Sequence, residues 1–226
     1  MIFISHQAKS GVCSLLLIAL LLSSGCQLLG ISADETPLAL QSPSLAAGEA
    51  RLSLNPYLSN RPKVPVAAQR SFELAQQAIN DQSWQEAATR LKQLTEDYSE
   101  LSGPYVNLAL VTVELNDLAA AELAFKQAIV ANRNNVSAYN HYGIFLRRQG
   151  RFNEARDIFL QALERWPDYP DGNLNIAILY DLYQGEYQLA LQHYQHYQAL
   201  QDNPSRQLAG WIVDLQRRIK TSQRSL

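Results

Sequence analysis

The sequence predicts an all-α superhelix of about four helix–turn–helix repeats, closed by a C-terminal capping helix. The first observation is a small residue that recurs every 34 positions, at Ala87, Ala121 and Ala155. The second is a large apolar residue that recurs four positions after each of these alanines, at Leu91, Phe125 and Phe159. A fixed period of this length is typical of solenoids, in which each unit packs mainly against its neighbours.

Composition supports a folded core and argues against nucleic acid as a partner. Hydrophobic residues make up 47% of the 226 residues, which is enough apolar material to bury a core. The formal net charge is −2. Binding to a phosphate backbone requires a basic face, so we expect no nucleic-acid partner.

The first segment, residues 1–25, has the pattern of an export signal. Lys9 precedes an apolar run at residues 12–22, and small residues follow it at 23–25. Ser-Ser-Gly-Cys, ending at Cys26, resembles the lipobox of bacterial lipoproteins. This resemblance implies cleavage before Cys26 and attachment of diacylglycerol and palmitate-type acyl chains to it. The alternative is an ordinary secretory signal that happens to contain a cysteine.

Residues 26–66 are predicted to form a tether. Proline recurs among serine, alanine and glycine, without helical periodicity, at Pro37, Pro43, Pro56, Pro62 and Pro65. The later part, residues 55–65, also contains bulky side chains. We therefore expect it either to remain a tether or to lie on the next domain as an extended, strand-like cover.

The repeats of residues 67–203 resemble the tetratricopeptide repeat (TPR). The third unit carries the motif residues in order: Tyr139, Tyr142, Gly143, Leu146, Ala155, Phe159, Ala162 and Pro167. The resemblance implies a right-handed superhelix with repeats at about 68–101, 102–135, 136–169 and 170–203. Small residues such as Gly143 are expected where the two helices of a pair approach closely.

Turn residues refine the helix boundaries. Gly150 and Gly185 are predicted to end first helices, and Ser83 with Glu86 to form a capping box that opens a second helix. One residue is inserted in the fourth unit, near residues 184–185, because Ala155 and Ala190 are 35 apart.

Residues 204–226 are predicted to contain the capping helix and a tail, with Asn203 as the cap and Pro204 in the first turn. Apolar residues recur at helical spacing at Leu208, Trp211, Ile212, Leu215 and Ile219. The basic residues on the other faces are expected to form a solvated surface, rather than a lipid contact: Arg217, Arg218 and Lys220.

The residues suggest no catalytic constellation, so we predict no enzyme activity and no cofactor. His193 and His196 share a helix face and form the alternative hypothesis, a metal-binding protein or enzyme. The repeat glutamates Glu86, Glu122 and Glu154 are expected to lie at surface positions of the solenoid and not to form a general acid–base pair. Five tyrosines form a cluster that is explained by core packing or by a binding patch: Tyr180, Tyr183, Tyr187, Tyr194 and Tyr197.

Taken together, the chain resembles TPR lipoproteins of the Gram-negative envelope. This resemblance implies an adaptor at the outer membrane, since Gln27 follows the cysteine, that faces the periplasm and binds envelope proteins or peptide segments. Relatives of this type assist assembly of pilus secretins or recruit peptidoglycan hydrolases.

In such a superhelix the first helices line the concave side, where we expect a peptide-binding groove. The alternative is that the tether, or a second copy of the chain in a homo-oligomer, covers this face. The predicted groove residues are Val106, Leu110, Val113, Asn140, Ile144, Arg147, Arg148, Leu174, Ile178 and Asp181.

Overall fold

The computed structural model describes residues 52–59 and 62–224, and no strand occurs within these ranges. The helices are α1 (Pro56–Ser59), α2 (Val66–Asn80), α3 (Trp84–Asp97), α4 (Ser102–Glu114), α5 (Leu118–Ala131), α6 (Val136–Arg148), α7 (Phe152–Arg165), α8 (Pro170–Leu179), α9 (Tyr187–Ala199) and α10 (Arg206–Arg224). A π-helical turn, Tyr180–Gln184, directly continues α8.

The predicted fold class is confirmed. Four helix pairs, α2/α3, α4/α5, α6/α7 and α8/α9, follow one another as a TPR-type superhelix, and α10 packs on α9 at the end. The first helices also contact one another, because α6 touches both α4 and α8. The first helices therefore share one side of the stack, which creates the face analysed below.

Small side chains stand where the helices of each pair cross. On the first helices these residues are Ala75, Ala109, Gly143 and Ala177, and on the second helices they are Ala87, Ala121, Ala155 and Ala190. All the alanines in this set are fully buried. Phe125 and Phe159 are also buried and fill the remaining space. The short alanine and glycine side chains allow the backbones to approach and the aromatic rings to occupy the gap.

The turns within the first three pairs place one residue in the left-handed region, at positions 34 apart. These residues are Gln82 (φ 58°), Asn116 (φ 59°) and Gly150 (φ 73°). Glycine adopts this conformation without steric cost, whereas glutamine does not. The capping box predicted at Ser83 is wrong. Ser83 is the N-cap of α3, but its hydroxyl makes no capping bond, and Glu86 pairs with Arg90 instead.

The inserted residue of the fourth repeat coincides with the π-helical turn. A π turn accommodates one residue more than an α turn. It ends at Gly185 (φ 69°), where the N–H of Glu186 donates to the Tyr180 carbonyl at 3.0 Å. The extra residue therefore lengthens the end of the first helix, and the second helix still places Ala190 in the buried crossing position.

Helix α10 covers the apolar end of the stack with Leu208, Ile212, Leu215 and Ile219, all of which are buried. Two local predictions were wrong. Ser205, rather than Asn203, caps the helix, since its Oγ accepts from the Leu208 N–H at 3.1 Å. Arg218 is not merely solvated: it pairs with Asp181 at 2.7 Å and with Asp214 at 3.1 Å.

The chain before α2 lies against the repeats, but not as a strand. Pro56–Ser59 forms one helical turn, whereas an extended cover was one of the two alternatives predicted for residues 55–65. Val64 packs against the buried Leu94 and Leu101 near the first repeat, and Ser53 hydrogen-bonds to Asp168 after the third.

The predicted signal and Cys26 lie outside the described residues. Within the described ranges, no helix has the combination of length and hydropathy that crossing a bilayer requires.

A polar network joins the second and third repeats. Arg151 donates to Glu122 at 2.6 Å and to Glu154 at 2.6 Å, and the Tyr142 hydroxyl donates to Glu122 at 2.9 Å. Hydrogen bonds from Arg151 hold the pKa of Glu122 at about 2, although burial acts in the opposite direction. Glu122 is therefore a partly exposed residue, as its predicted surface position suggests, but it also binds the third repeat through Arg151 and Tyr142.

The crossing at Gly143 gives a direct test of the packing. A Cβ atom added there would lie 2.5 Å from Cε1 of the buried Phe159. We expect Gly143→Ala to lower the free energy of unfolding by about 1–3 kcal/mol. Gly210→Ala is the matched control, because nothing lies within 4 Å of its added Cβ. It should raise the free energy of unfolding by about 0.5–1 kcal/mol. Equal effects of the two changes in urea denaturation would contradict the close crossing.

Candidate functional site

The first-helix face carries rows of residues at equivalent positions of consecutive repeats. Leu110, Ile144 and Ile178 form the central row, and each is partly buried and packed against the core. Val113 and Leu174 extend this row on α4 and α8 and are also partly buried. The partial exposure of so many apolar side chains on one face makes this the candidate site, called here the groove.

Two predicted groove residues are not available to a ligand. Val106 of α4 is only 1% exposed. It packs against Ala128 of α5 and Ala138 of α6. Asn140 is 5% exposed, and its Oδ1 accepts from the Asn175 amide at 3.1 Å. Both predictions are therefore wrong, because the following repeat closes over these positions.

Asp181 is also not an open acidic edge. It is 8% exposed, and Arg218 of α10 pairs with its carboxylate at 2.7 Å. The capping helix therefore neutralises this acid, so that Asp181 fastens α10 to the fourth repeat.

Arg147, unlike Asp181, is a charged groove residue that a ligand can reach. It is partly buried in α6, and its Nη1 makes one long hydrogen bond, 3.5 Å, to the Asn175 carbonyl. Burial lowers the pKa of its guanidinium, but arginine remains protonated. Among residues 52–59 and 62–224, no carboxylate forms an ion pair with it, and its neighbour Arg148 is exposed. The groove therefore contains a partly desolvated positive charge beside apolar side chains.

The two histidines of the alternative hypothesis are bound to different partners. His193 Nδ1 lies 2.9 Å from Asn173 Oδ1, whereas His196 Nε2 lies 3.0 Å from Asp168 Oδ1. In the part of the chain that the structure describes, no group of three or more His, Cys, Asp or Glu side chains is arranged to hold a metal ion. The geometry therefore gives no support to a metal centre at this pair.

The tyrosine cluster divides between core and surface. Tyr180 and Tyr194 are buried, and Tyr187 lies under the Arg218 guanidinium at 4.9 Å. Tyr183 is 47% exposed and packs its ring against Phe152 at 4.8 Å. Core packing therefore explains most of the cluster, as the first interpretation expected.

A separate cleft of about 670 Å³ opens between α3, α4 and α5. Its lining includes Thr89, Lys92, Glu96, Leu123 and Tyr105. The Tyr105 hydroxyl is already satisfied by the Thr95 carbonyl at 3.1 Å. Lys92 and Glu96 are one helical turn apart, a spacing typical of a solvated helix surface. We therefore place the candidate site in the groove.

Sequence comparison identifies the same repeat. A family model for the tetratricopeptide repeat matches residues 106–170. Tetratricopeptide repeat protein 8 of Homo sapiens is 29% identical over 92 residues, which are 41% of this chain and 17% of the human protein. The chain thus spans far less than two thirds of that relative.

Structural comparison finds the same fold in several solved proteins. PilF of Pseudomonas aeruginosa superposes with a TM-score of 0.59 at 20% identity, covering 69% of this chain and 70% of PilF. PilW, described as a widely conserved type IV pilus biogenesis factor, gives 0.54 at 22% identity, covering 62% of this chain and 64% of PilW. At these identities the similarity shows the fold.

Two partly buried imidazoles make stability depend on pH. Burial lowers the pKa of His141 and of His193 to about 4, below the ordinary value of 6.5. Each histidine therefore contributes stability that is complete above pH 6.5 and is lost as the pH falls towards 4. We expect His193→Gln to remove up to about 3 kcal/mol of this pH-dependent loss. Urea denaturation at intervals between pH 7 and 4 measures it.

His141→Gln is the matched comparison for that experiment, since its imidazole is shifted in the same direction for the same reason. The double variant should have a flatter profile than either single variant. An unchanged slope in His193→Gln would show that its ring is solvated in the folded state.

Proposed function

Because the chain is a tetratricopeptide-repeat protein, a class of protein-interaction scaffolds, we propose that it is a non-catalytic adaptor of the Gram-negative envelope. In this proposal Cys26 carries the lipid, the protein is anchored to the outer membrane, and the repeats face the periplasm. The partners are envelope proteins, or segments of them, that bind in the groove. Support for the anchor comes from the lipobox resemblance in the sequence.

The observation that carries the binding proposal is Arg147. A guanidinium that has lost part of its water loses solvation energy, which a carboxylate of a partner would restore through charge-assisted hydrogen bonds. The apolar row of Leu110, Ile144 and Ile178 lies beside it and would bury the partner's apolar side chains. The groove therefore suits an extended or helical segment that combines apolar residues with an acidic one.

The similarity to PilW favours assembly of pilus components among the possible pathways, and recruitment of peptidoglycan hydrolases is the second candidate. Both use the same groove, so they differ in the partner and not in the mechanism of binding. The alternative of a metal-dependent function at His193 and His196 has no comparable support, since each imidazole is engaged by its own hydrogen-bond acceptor.

The groove can be tested by a double change, Leu110→Asp with Arg147→Glu. The first change introduces a charge into the apolar row and the second reverses the local positive charge, so capture of an acidic, apolar segment should be abolished. A photoreactive amino acid at position 148, which is exposed on the same face, would measure capture in cells. We expect a crosslink to one envelope protein in the unchanged groove and its loss in the double variant.

The matched control makes the same kinds of substitution at the second helix of a repeat, away from the groove. It is Val130→Asp with Arg133→Glu. Val130 of α5 is 79% exposed, and Arg133 lies just beyond that helix. This control should fold and crosslink normally. Survival of the crosslink in the groove variant, with normal circular dichroism, would move the binding site away from the groove.

The anchor has its own test. Cys26→Ser should eliminate incorporation of a palmitate analogue and either release the protein from the membrane fraction or leave an uncut precursor. Cys13→Ser is the control within the same signal and should be labelled normally, because Cys13 precedes the proposed cleavage site. Undiminished labelling of Cys26→Ser would reject the lipoprotein assignment.

A further inference from the structure

All three polar groups of Ser53 are bound by two residues of the α7–α8 connection. Its backbone N–H and its hydroxyl both donate to Asp168 Oδ2, at 2.6 Å and 2.7 Å. Its carbonyl accepts from the Trp166 indole N–H at 2.8 Å. A single residue of an extended chain is thus recognised through its donor, its acceptor and its side chain.

The receiving groups are held in place by the repeats. The Trp166 ring stacks on the buried Tyr169 with a centroid distance of 5.2 Å and an interplanar angle of 16°. Asp168 Oδ1 is bound by His196 of α9 at 3.0 Å, and its side chain is 18% exposed. One carboxylate oxygen therefore belongs to the scaffold, and the other is directed at the bound segment.

The contact depends on polar recognition and not on apolar burial. Leu52 and Leu54, on either side of Ser53, are 62% and 82% exposed. Two hydrogen bonds to a charged acceptor and one to a carbonyl oppose the entropy of ordering the segment, and these opposing terms are each a few kcal/mol. The hydrogen bonds therefore make binding of the segment specific, and the opposing entropy makes the binding reversible.

We propose that Trp166, Asp168 and His196 form a docking site for a hydroxyl-bearing residue of an extended segment, and that residues 52–55 of the same chain are its occupant. The chosen side chain must donate to Asp168, so serine or threonine satisfies the site. The bound segment is called the strap below.

The strap and Val64 contact different repeats. Val64 is fixed near the first repeat by Leu94 and Leu101, and Ser53 is fixed after the third repeat. All four first helices begin on this same edge of the stack, because successive helices are antiparallel. Val64 and Ser53 therefore both contact this edge, one at the first repeat and the other between the third and the fourth.

Amide hydrogen exchange of Ser53 in the purified full-length chain tests the site directly, since this N–H is itself one of the three bonds. We expect exchange at Ser53 to be at least tenfold slower than in an unstructured peptide. Asp168→Ala removes both acceptor contacts and should accelerate exchange at least tenfold. Trp166→Phe keeps the ring but loses the indole donor, and should accelerate exchange less.

Asp157→Ala is the matched control, because Asp157 is an exposed acid of α7 that pairs with Arg156. It should leave Ser53 exchange unchanged. Exchange of the buried residues Ile176 and Ala177 reports whether Asp168→Ala keeps its fold. With the core protected, unstructured-chain exchange at Ser53 in the unchanged protein, or no acceleration in Asp168→Ala, would overturn the proposal.

Whether the bound segment comes from the same chain is tested by measuring how Ser53 protection depends on protein concentration. A strap bound within its own chain gives Ser53 protection that is the same at two protein concentrations differing tenfold. Protection that increases with concentration would show that a second copy supplies the segment, and would overturn the assignment to the same chain. None of these outcomes depends on lipid attachment or on the groove. Rejection of the strap proposal would therefore leave the proposed function untouched, and the reverse also holds.

Discussion

The close crossing of the two helices in each repeat is the constraint on which the rest of the structure depends. Alanine or glycine on both helices lets the backbones approach, and a ring such as Phe159 then fills the space between neighbouring pairs. Because the crossing recurs with the same geometry, each repeat presents equivalent positions in the same direction. The groove is a consequence of this repetition: its central row is one structural position repeated on three first helices.

The same repetition allows individual positions to acquire different roles. At one equivalent position, Val113 adds to the apolar row, Arg147 supplies a partly buried cation, and Asp181 fastens the capping helix through Arg218. These differences depend on what lies beyond each residue. The fourth repeat is followed by α10, which brings a guanidinium to Asp181, whereas nothing in the described residues brings a carboxylate to Arg147. A uniform scaffold thus becomes a site with one unbalanced charge.

Sequence reasoning predicted the helix pairs, the crossing at Gly143 and the capping helix, because these features depend on residues at a fixed period. It could not predict that Val106 is covered by Ala138 of the next repeat, since the depth of burial depends on inter-repeat packing. It also missed the Ser53–Asp168 contact, which joins residues 115 positions apart. A single serine in a proline-rich segment carries no periodic signal, and neither does its acceptor in a connecting loop.

The left-handed backbone at Gln82 affects the order in which the solenoid opens. Solenoid repeats behave as a linear chain of coupled units, in which the end with the weakest intrinsic stability frays first. The first repeat has an outer end and contains a glutamine in a conformation that is costly to residues with a Cβ. The fourth repeat has glycine at the corresponding turn and is sealed by α10. Local opening should therefore begin at the amino-terminal pair and spread towards α10. Under heat or mechanical load, the solenoid should therefore unfold from its amino-terminal end towards its carboxyl-terminal end.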